Sequence, residues 1–292
     1  MRLIITADWH LRSTRPICRN DKNWIETQKK ALAQIEEYAY ENKADVMVVG
    51  DIFHTSMDTS FECIRMVQDM AIRLSKRDLG LYILCGNHDL PYHSSKNIDK
   101  SAVGILLNSY NINTIESYDN HFSAKNFDEE NEDKEFVFIH TLAFEDIKAM
   151  PPMIVGGVTA DELKQWNPNA KWIFLGDNHH SWRRDIKGTH ILNPGCIIRQ
   201  VADMKDYECG VFYVNTEAER ITFLPIKDDN ELVDTSYIEE RDERIENIEK
   251  FTERLKKNED LTFDFEDNVR KALMGVEDSN VKRLVEKFVG IT

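Results

Sequence analysis

The chain has 292 residues, a net charge of −15 at pH 7 and 41% hydrophobic residues. This length allows one large domain with an appendage, or two domains, with a substantial buried core. No apolar run approaches the roughly 20 residues that cross a bilayer, and the chain start becomes polar too quickly for a signal peptide. We therefore expect a cytoplasmic protein with no membrane partner. Its five cysteines include no C-x-x-C pair and are expected to be reduced thiols.

Charge is distributed unevenly along the chain. Residues 228–292 carry 19 acidic and 11 basic side chains, whereas residues 11–30 carry six basic and two acidic ones. Phosphate backbones are bound mainly through Lys and Arg, so this basic loop could hold nucleic acid despite the acidic net charge. Its candidate substrate contacts are Arg12, Arg15 and Arg19. A solvated loop of mixed charge explains the same residues equally well.

The first half of the sequence alternates strand and helix patterns. Buried strands are predicted at residues 2–6, 46–49 and 81–84, and amphipathic helices at 24–41 and about 59–76. Two successive strand-helix-strand units imply a parallel core with right-handed crossovers. The pattern therefore predicts an α/β layered fold.

The second half is richer in strands. Thr159-x-x-Glu162 forms a capping box that opens a short helix, and residues 127–135 are predicted to form an exposed acidic loop. Short strands are predicted at residues 111–115, 120–124, 136–139, 172–175, 189–192, 210–214 and 220–224.

Five clusters of metal-type ligands each follow one of the apolar strands. They are Asp8-x-His10, Gly50-Asp51-x-x-His54, Gly86-Asn87-His88-Asp89, the single His140, and Gly176-Asp177-Asn178-His179-His180. Each residue alone has an ordinary explanation, such as a buried histidine or a turn aspartate. Together, placed in loops at one edge of a single sheet, they predict a site for two divalent metals. Mixed imidazole and carboxylate ligands favour manganese or iron over calcium, and zinc remains an alternative.

The order of these motifs resembles that of the calcineurin-like metallophosphoesterases. Residues 50–54 and the segment Asn193-Pro-Gly-Cys-Ile-Ile-Arg199-Gln200 look most like the SbcD-like DNA repair nucleases, in a compact, phage-like version. The resemblance covers roughly residues 1–225. It implies an α/β fold with a two-sheet β-sandwich flanked by helices and a short helical C-terminal extension. The implied domains are a nuclease domain at 1–227 and an acidic helical tail at 228–292.

The resemblance also implies roles for individual residues. His88 would be the proton donor beside the metals, steadied by Asp89, while His54 and, with the basic loop, Arg199 would contact the substrate. The two metals, expected to be Mn²⁺, would be held by Asp8, His10, Asp51 and His179, and by Asp51, Asn87, His140 and Asp177. Asp177 departs from the G-H-x-H motif of the family, which has histidine there. His180, directly after His179, is an alternative to Asp177 for that position. Adjacent strand residues point in opposite directions, so His179 and His180 are not expected to bind the same ion.

The tail carries two amphipathic helical patterns. One places Ile238, Ile245, Ile248 and Leu255 on one side, and the second repeats Val281, Leu284, Val285 and Phe288. The pair could pack on the catalytic domain or, as the resemblance suggests, dock onto the coiled coil of an SbcC-like ATPase. No Gly-Lys dipeptide occurs in the sequence, so a P-loop is absent and we expect no direct ATP binding.

The function implied by the resemblance is a manganese-dependent DNA nuclease. It would act as a 3′ to 5′ double-strand exonuclease and a single-strand endonuclease in DNA end processing, repair or recombination, as a homodimer with the ATPase. The acidic net charge favours an alternative, a phosphatase or phosphodiesterase acting on small molecules or phosphoproteins. A third interpretation is a scaffold that has lost turnover through Asp177.

Overall fold

The computed structural model describes most of the first 236 residues and parts of the tail. The described residues are 1–109, 111–119, 121–125, 134–151, 156–228, 230–236, 248, 269–270, 273–276 and 278–289. Within the chain, Met1–Asp234 and Thr235–Thr292 form two separate units. The predicted acidic loop at 127–135 lies almost wholly outside the described residues.

Where it is described, the first unit contains thirteen strands and four α-helices. The helices are α1 (Trp24–Asn42), α2 (Phe61–Ser75), α3 (Ala102–Leu107) and α4 (Ala160–Trp166). The strands are β1 (Arg2–Thr6), β2 (Asp45–Val49), β3 (Leu81–Leu84), β4 (Ile112–Thr114), β5 (Phe122–Lys125), β6 (Phe136–His140), β7 (Ala143–Phe144), β8 (Val158–Thr159), β9 (Trp172–Gly176), β10 (Trp182–Ile186), β11 (Thr189–Asn193), β12 (Gly210–Asn215) and β13 (Arg220–Pro225).

Two main sheets are built from these strands. The six-stranded sheet has the order β13-β12-β1-β2-β3-β4, and its β1 to β4 neighbours are parallel. The five-stranded sheet has the order β10-β11-β9-β6-β5, with parallel pairing except between β10 and β11. A short parallel pair joins β7 and β8. The α/β class with two sheets and flanking helices is confirmed.

The alternation of side chains along each strand explains this layering. In β1, Leu3 and Ile5 pack toward aromatic residues of the second sheet such as Phe138 and Trp172, whereas Ile4 packs in the cluster that includes the helices. Successive strand residues point to opposite faces, so a strand buried on both faces is apolar throughout. Burial of each large apolar side chain contributes about 1.5–3 kcal/mol.

Local sequence signals fix the helix boundaries. The Asn23 side chain accepts a hydrogen bond from the Glu26 amide at the start of α1, and Ser60 accepts one from the Cys63 amide at the start of α2. These bonds satisfy amides that have no partner inside the helix. The capping box predicted from Thr159 and Glu162 is confirmed at the start of α4.

The second unit is described in part. Its helix α5 (Ser279–Val289) covers the second predicted amphipathic pattern, and Val285 packs against Val269 and Leu273 of the same unit. Of the first predicted pattern only Ile248 is described, and it is exposed; Ile238, Ile245 and Leu255 lie outside the described residues. Where the chain is described, no helix is sufficiently long and apolar to span a membrane.

Candidate metal centre

The five predicted clusters converge on one place, but they come from two sheets. The loops after β1, β2 and β3 belong to the six-stranded sheet, while His140 and the loop after β9 belong to the five-stranded sheet. The expectation of a single sheet edge is therefore wrong. The ligand-bearing strands of both sheets end at the same side, so both sheets can deliver ligands to the space between their loops.

Backbone hydrogen bonds hold the loops together. The amide of Asp8 donates to the Gly50 carbonyl at 3.1 Å, and the amide of His10 donates to the Asp51 carbonyl at 2.9 Å. The Asp177 amide donates to both carboxylate oxygens of Asp8 at 3.1 Å, which connects the two sheets. The loop positions are thus fixed by contacts that leave the ligand side chains directed at one another.

The first group of donors surrounds His10. Its Nε2 lies 3.1 Å from the Nε2 of His179 and 3.6 Å from Oδ2 of Asp51. Ligand atoms of Asp8, His10 and His179 all lie within 4.8 Å of one another. The Nδ1 of His10 is buried without a hydrogen-bond partner among the described residues.

The second group surrounds His140. Its Nε2 lies 3.3 Å from Oδ2 of Asp51, 3.1 Å from Oδ1 of Asn87 and 3.9 Å from Oδ1 of Asp177. The other ring nitrogen, Nδ1, donates to the Val49 carbonyl at 2.9 Å, which orients the ring with Nε2 toward the centre. Because Oδ2 of Asp51 approaches both His10 and His140, Asp51 occupies the position of a bridging ligand.

The charges in this centre perturb one another. Burial raises the pKa values of the Asp8 and Asp177 carboxyls, and burial lowers those of His10 and His179. Burial also opposes a charge on His140, but the Asp51 carboxylate outweighs it and raises the His140 pKa to about 10. A divalent cation bound here would offset the cost of ionising the buried carboxyls of Asp8 and Asp177.

The backbone at the ligands is unusual. Asp8, His10, Asp51 and Asp177 have φ values of 52°, 43°, 53° and 87°, in the left-handed region. Such conformations cost of order 1–3 kcal/mol each for non-glycine residues and concentrate at functional sites. Gly86 is required for another reason: a Cβ there would collide with Oδ1 and the amide of Asp51.

The donor set fits two divalent cations. It offers three carboxylates, three imidazoles and one amide oxygen, converging in two groups that share Asp51. The Nε2 atoms of His10 and His179 lie 3.1 Å apart, close enough to bind one cation together. The Nδ1 of His10 has no partner among the described residues. Nitrogen and oxygen donors without thiolate suit manganese, iron or zinc.

A histidine pair lies beside the two groups. His54 and His88 stack with ring centroids 5.7 Å apart, and Nδ1 of His88 donates to the His54 carbonyl at 2.8 Å. The expectation that Asp89 steadies the His88 ring needs correction. The Asp89 carboxylate instead accepts hydrogen bonds from the amides of Gly86, Ile52 and Phe53, and so joins the loops after β2 and β3. Burial, with the charge of Asp51, raises the Asp89 pKa to about 7.

The four predicted arginines have different surroundings. Arg12 reaches the centre, with Nη1 2.9 Å from Nε2 of His54, and Arg15 is exposed. Arg19 is fully buried, with hydrogen bonds to both Asp21 and Asp228, and Arg199 also binds Asp228. The burial of Arg19 and Arg199 and their bonds to carboxylates argue against the predicted substrate contacts of these two residues.

The two adjacent histidines after β9 point in different directions. His179 is directed into the first donor group, whereas His180 is exposed and packs edge-on against Tyr207. The turn is held by Asn193, whose side-chain amide donates to the carbonyls of Asn178 and His180. This role of Asn193 was not predicted from the sequence, although its place at the end of β11 was a usable signal.

Comparison with known proteins shows the family of the chain. The model of the calcineurin-like phosphoesterase superfamily domain matches residues 1–217, so the chain belongs to that superfamily. The chain is also similar to the SbcD component of the nuclease SbcCD of Staphylococcus epidermidis, with 23% identity over 274 residues covering 80% of this chain and 71% of the relative.

The chain is also similar to two solved structures. An archaeal phosphodiesterase has a TM-score of 0.41 and 13% identity, covering 77% of this chain and 99% of that one. A putative 5′-nucleotidase from Staphylococcus aureus has a TM-score of 0.45 and 14% identity, covering 78% of this chain and 54% of that one.

Proposed function

We propose that the chain is a manganese-dependent DNA nuclease that hydrolyses phosphodiesters. It acts as a 3′ to 5′ double-strand exonuclease and a single-strand endonuclease in DNA end processing, repair or recombination. The observation that carries this proposal is the convergence of two donor groups on Asp51, with the His54–His88 pair beside them, in a chain similar to the SbcD component of a nuclease.

The proposed roles follow from the contacts. One ion would be held by Asp8, His10, Asp51 and His179, and the other by Asp51, Asn87, His140 and Asp177. Two bound divalent ions would supply a water-derived nucleophile and neutralise charge on the phosphoryl oxygens.

The neighbouring histidines would handle the substrate. Since Nδ1 of His88 is committed to the His54 carbonyl, its Nε2 is the atom available to give a proton to the leaving oxygen. His54 would contact the substrate phosphate, and Asp89 would position the loops that carry both rings.

The alternative is a phosphatase or phosphodiesterase of small molecules or phosphoproteins. Two observations favour it: the net charge of −15, and the pairing of Arg19 and Arg199 with acidic residues, which removes two candidate contacts to a nucleic acid backbone.

Degradation of end-labelled linear duplex DNA by the purified chain with Mn²⁺ would test the proposal. A chromogenic phosphodiester serves as the second substrate and Asp51→Asn as the control, because asparagine tolerates the left-handed backbone of position 51. DNA cleavage that disappears in the control supports the nuclease. Turnover of the small diester alone favours the alternative.

The proposed partners are DNA, a second copy of the chain and an SbcC-like coiled-coil ATPase. The similarity to the SbcD component of the nuclease SbcCD supports this part of the proposal. Light scattering of the purified chain, alone and with a candidate ATPase, would test both assemblies. A monomer that fails to bind the ATPase would contradict them.

A further inference from the structure

Arg12 is anchored in a way that distinguishes it from the other basic residues of its loop. Its amide donates to Oε1 of Gln28 at 2.9 Å, and its carbonyl accepts from Nε2 of Gln28 at 2.9 Å. Gln28 is fully buried in α1 and also contacts the Trp24 carbonyl. A buried amide that satisfies both backbone groups of Arg12 fixes where its side chain begins.

The guanidinium lies at the rim of the metal centre. Its Nη1 is 2.9 Å from Nε2 of His54, whose ring stacks on His88 and meets His10 edge-on with centroids 5.8 Å apart. Arg12 is half-buried, and among the described residues no carboxylate forms a salt bridge with it. A guanidinium has five N–H donors in a planar fork, so most of them remain available beside His54.

A strand of nucleic acid presents a suitable second anion. Each phosphodiester of a strand is joined through one sugar to the next, so a phosphate at the metal centre always has a neighbouring phosphate one nucleotide away. Guanidinium binds phosphate through parallel charge-assisted hydrogen bonds. A single small diester has no second phosphate to offer.

We propose that Arg12 is a specificity-determining residue that binds the phosphate adjacent to the scissile one and so favours polynucleotides over isolated phosphodiesters. This inference rests on the proposed nuclease function. The substrate feature that Arg12 would recognise is a run of consecutive phosphodiesters.

The test compares two substrates in the full chain with Mn²⁺: a labelled single-stranded oligothymidylate and a chromogenic phosphodiester. For Arg12→Gln we expect the ratio of kcat/KM for the oligonucleotide to that for the small diester to fall about tenfold or more, mainly through KM. The salt dependence of oligonucleotide binding should weaken by roughly one phosphate contact. Arg12→Lys should restore the salt dependence but not the full ratio.

The matched control is Arg65→Gln, which removes the same charge from an exposed position on α2. It should leave the ratio unchanged. If Arg12→Gln lowers turnover of both substrates equally, Arg12 only supports the histidine pair and the inference is wrong. If the wild-type chain cleaves the small diester alone, the nuclease proposal and the Arg12 inference both fail; if it cleaves the oligonucleotide with an unchanged ratio in Arg12→Gln, only the inference fails.

Discussion

Two buried clusters of charged residues in the same unit are built on opposite principles. In the first, Arg19 and Arg199 face Asp21 and Asp228, and the charges balance. In the second, Asp8, Asp51 and Asp177 crowd together with histidines whose protonation burial mostly disfavours. In the first cluster each charged group has a partner of opposite charge. The second cluster lacks a cation to balance its carboxyls.

The difference separates stability from function. The paired cluster joins the basic loop to the chain around residue 228, and Asp21 has a lowered pKa because Arg19 and Thr27 outweigh the effect of burial. The candidate metal centre instead has left-handed backbone at four of its proposed ligands, and the pKa values of two of its carboxyls, Asp8 and Asp177, are raised. Its arrangement costs folding free energy that cation binding would return.

Replacing a centre carboxylate gives the largest expected effect. Asp8→Asn should reduce Mn²⁺-dependent phosphodiester turnover to background and lower the metal content. Burial raises the Asp8 pKa, so folding buries a carboxyl that is ionised in the unfolded chain at neutral pH, which destabilises the metal-free fold. Asp8→Asn should therefore raise the Tm measured in chelator. A lower Tm in chelator would show that Asp8 stabilises the fold and would contradict the comparison.

His88 tests the chemistry beside the ligands. His88→Gln should lower kcat by about 10²–10⁴-fold, the usual contribution of a general acid, while the metal content stays that of the wild type. The glutamine keeps a donor near the His54 carbonyl that the ring nitrogen now contacts. Metal content by atomic emission is the deciding measurement, because its loss would make His88 a ligand or a structural residue.

The paired cluster should respond in stability instead. Asp228→Asn leaves Arg19 and Arg199 with one carboxylate fewer in a buried site and should cost about 3–5 kcal/mol of unfolding free energy. Asp69→Asn is the matched control: this half-exposed carboxylate pairs with the exposed Arg65 at 3.7 Å, and its replacement should cost within about 0.5 kcal/mol. Urea denaturation measures both, and equal costs would refute the distinction between the clusters.

Metal binding should depend on pH. The His140 pKa of about 10 means that its Nε2 carries a proton at pH 8, which a metal must displace. The apparent affinity for Mn²⁺ should therefore fall as the pH falls from 9 to 7, by about tenfold per unit for each proton released. Titration calorimetry in two buffers of different ionisation enthalpy would measure the release, and heats independent of the buffer would contradict it.

The ligand clusters and most strands could be predicted from sequence because both depend on local patterns. Buried strands are continuous apolar runs, and the candidate ligands lie at or within a few positions of the ends of β1, β2, β3, β6 and β9. The resemblance implied two sheets, but which strand belongs to which sheet could not be predicted, since nothing within a strand specifies the sheet that it joins.

Ion pairs between residues far apart in the sequence could not be predicted either. Arg19 was predicted to contact substrate because its near neighbours are basic, but its carboxylate partner Asp228 is 209 residues away in sequence. A second long-range contact lies at the end of the first unit, which extends to Asp234, beyond the predicted domain end at 227. The amide of Asp234 donates to the Cys18 carbonyl in the basic loop.

His180 provides the smallest expected effect and a direct test of side-chain direction. It follows His179 immediately, yet its ring is exposed and packs against Tyr207, outside both donor groups. His180→Ala should leave metal content unchanged and turnover within about twofold. Asn193 holds the turn through the backbone carbonyls of Asn178 and His180, so these contacts do not use the His180 side chain. His179→Ala, one residue earlier, should lose metal. If the two variants lost metal equally, His180 would be a ligand, and the loop after β9 would adopt another conformation when metal is bound.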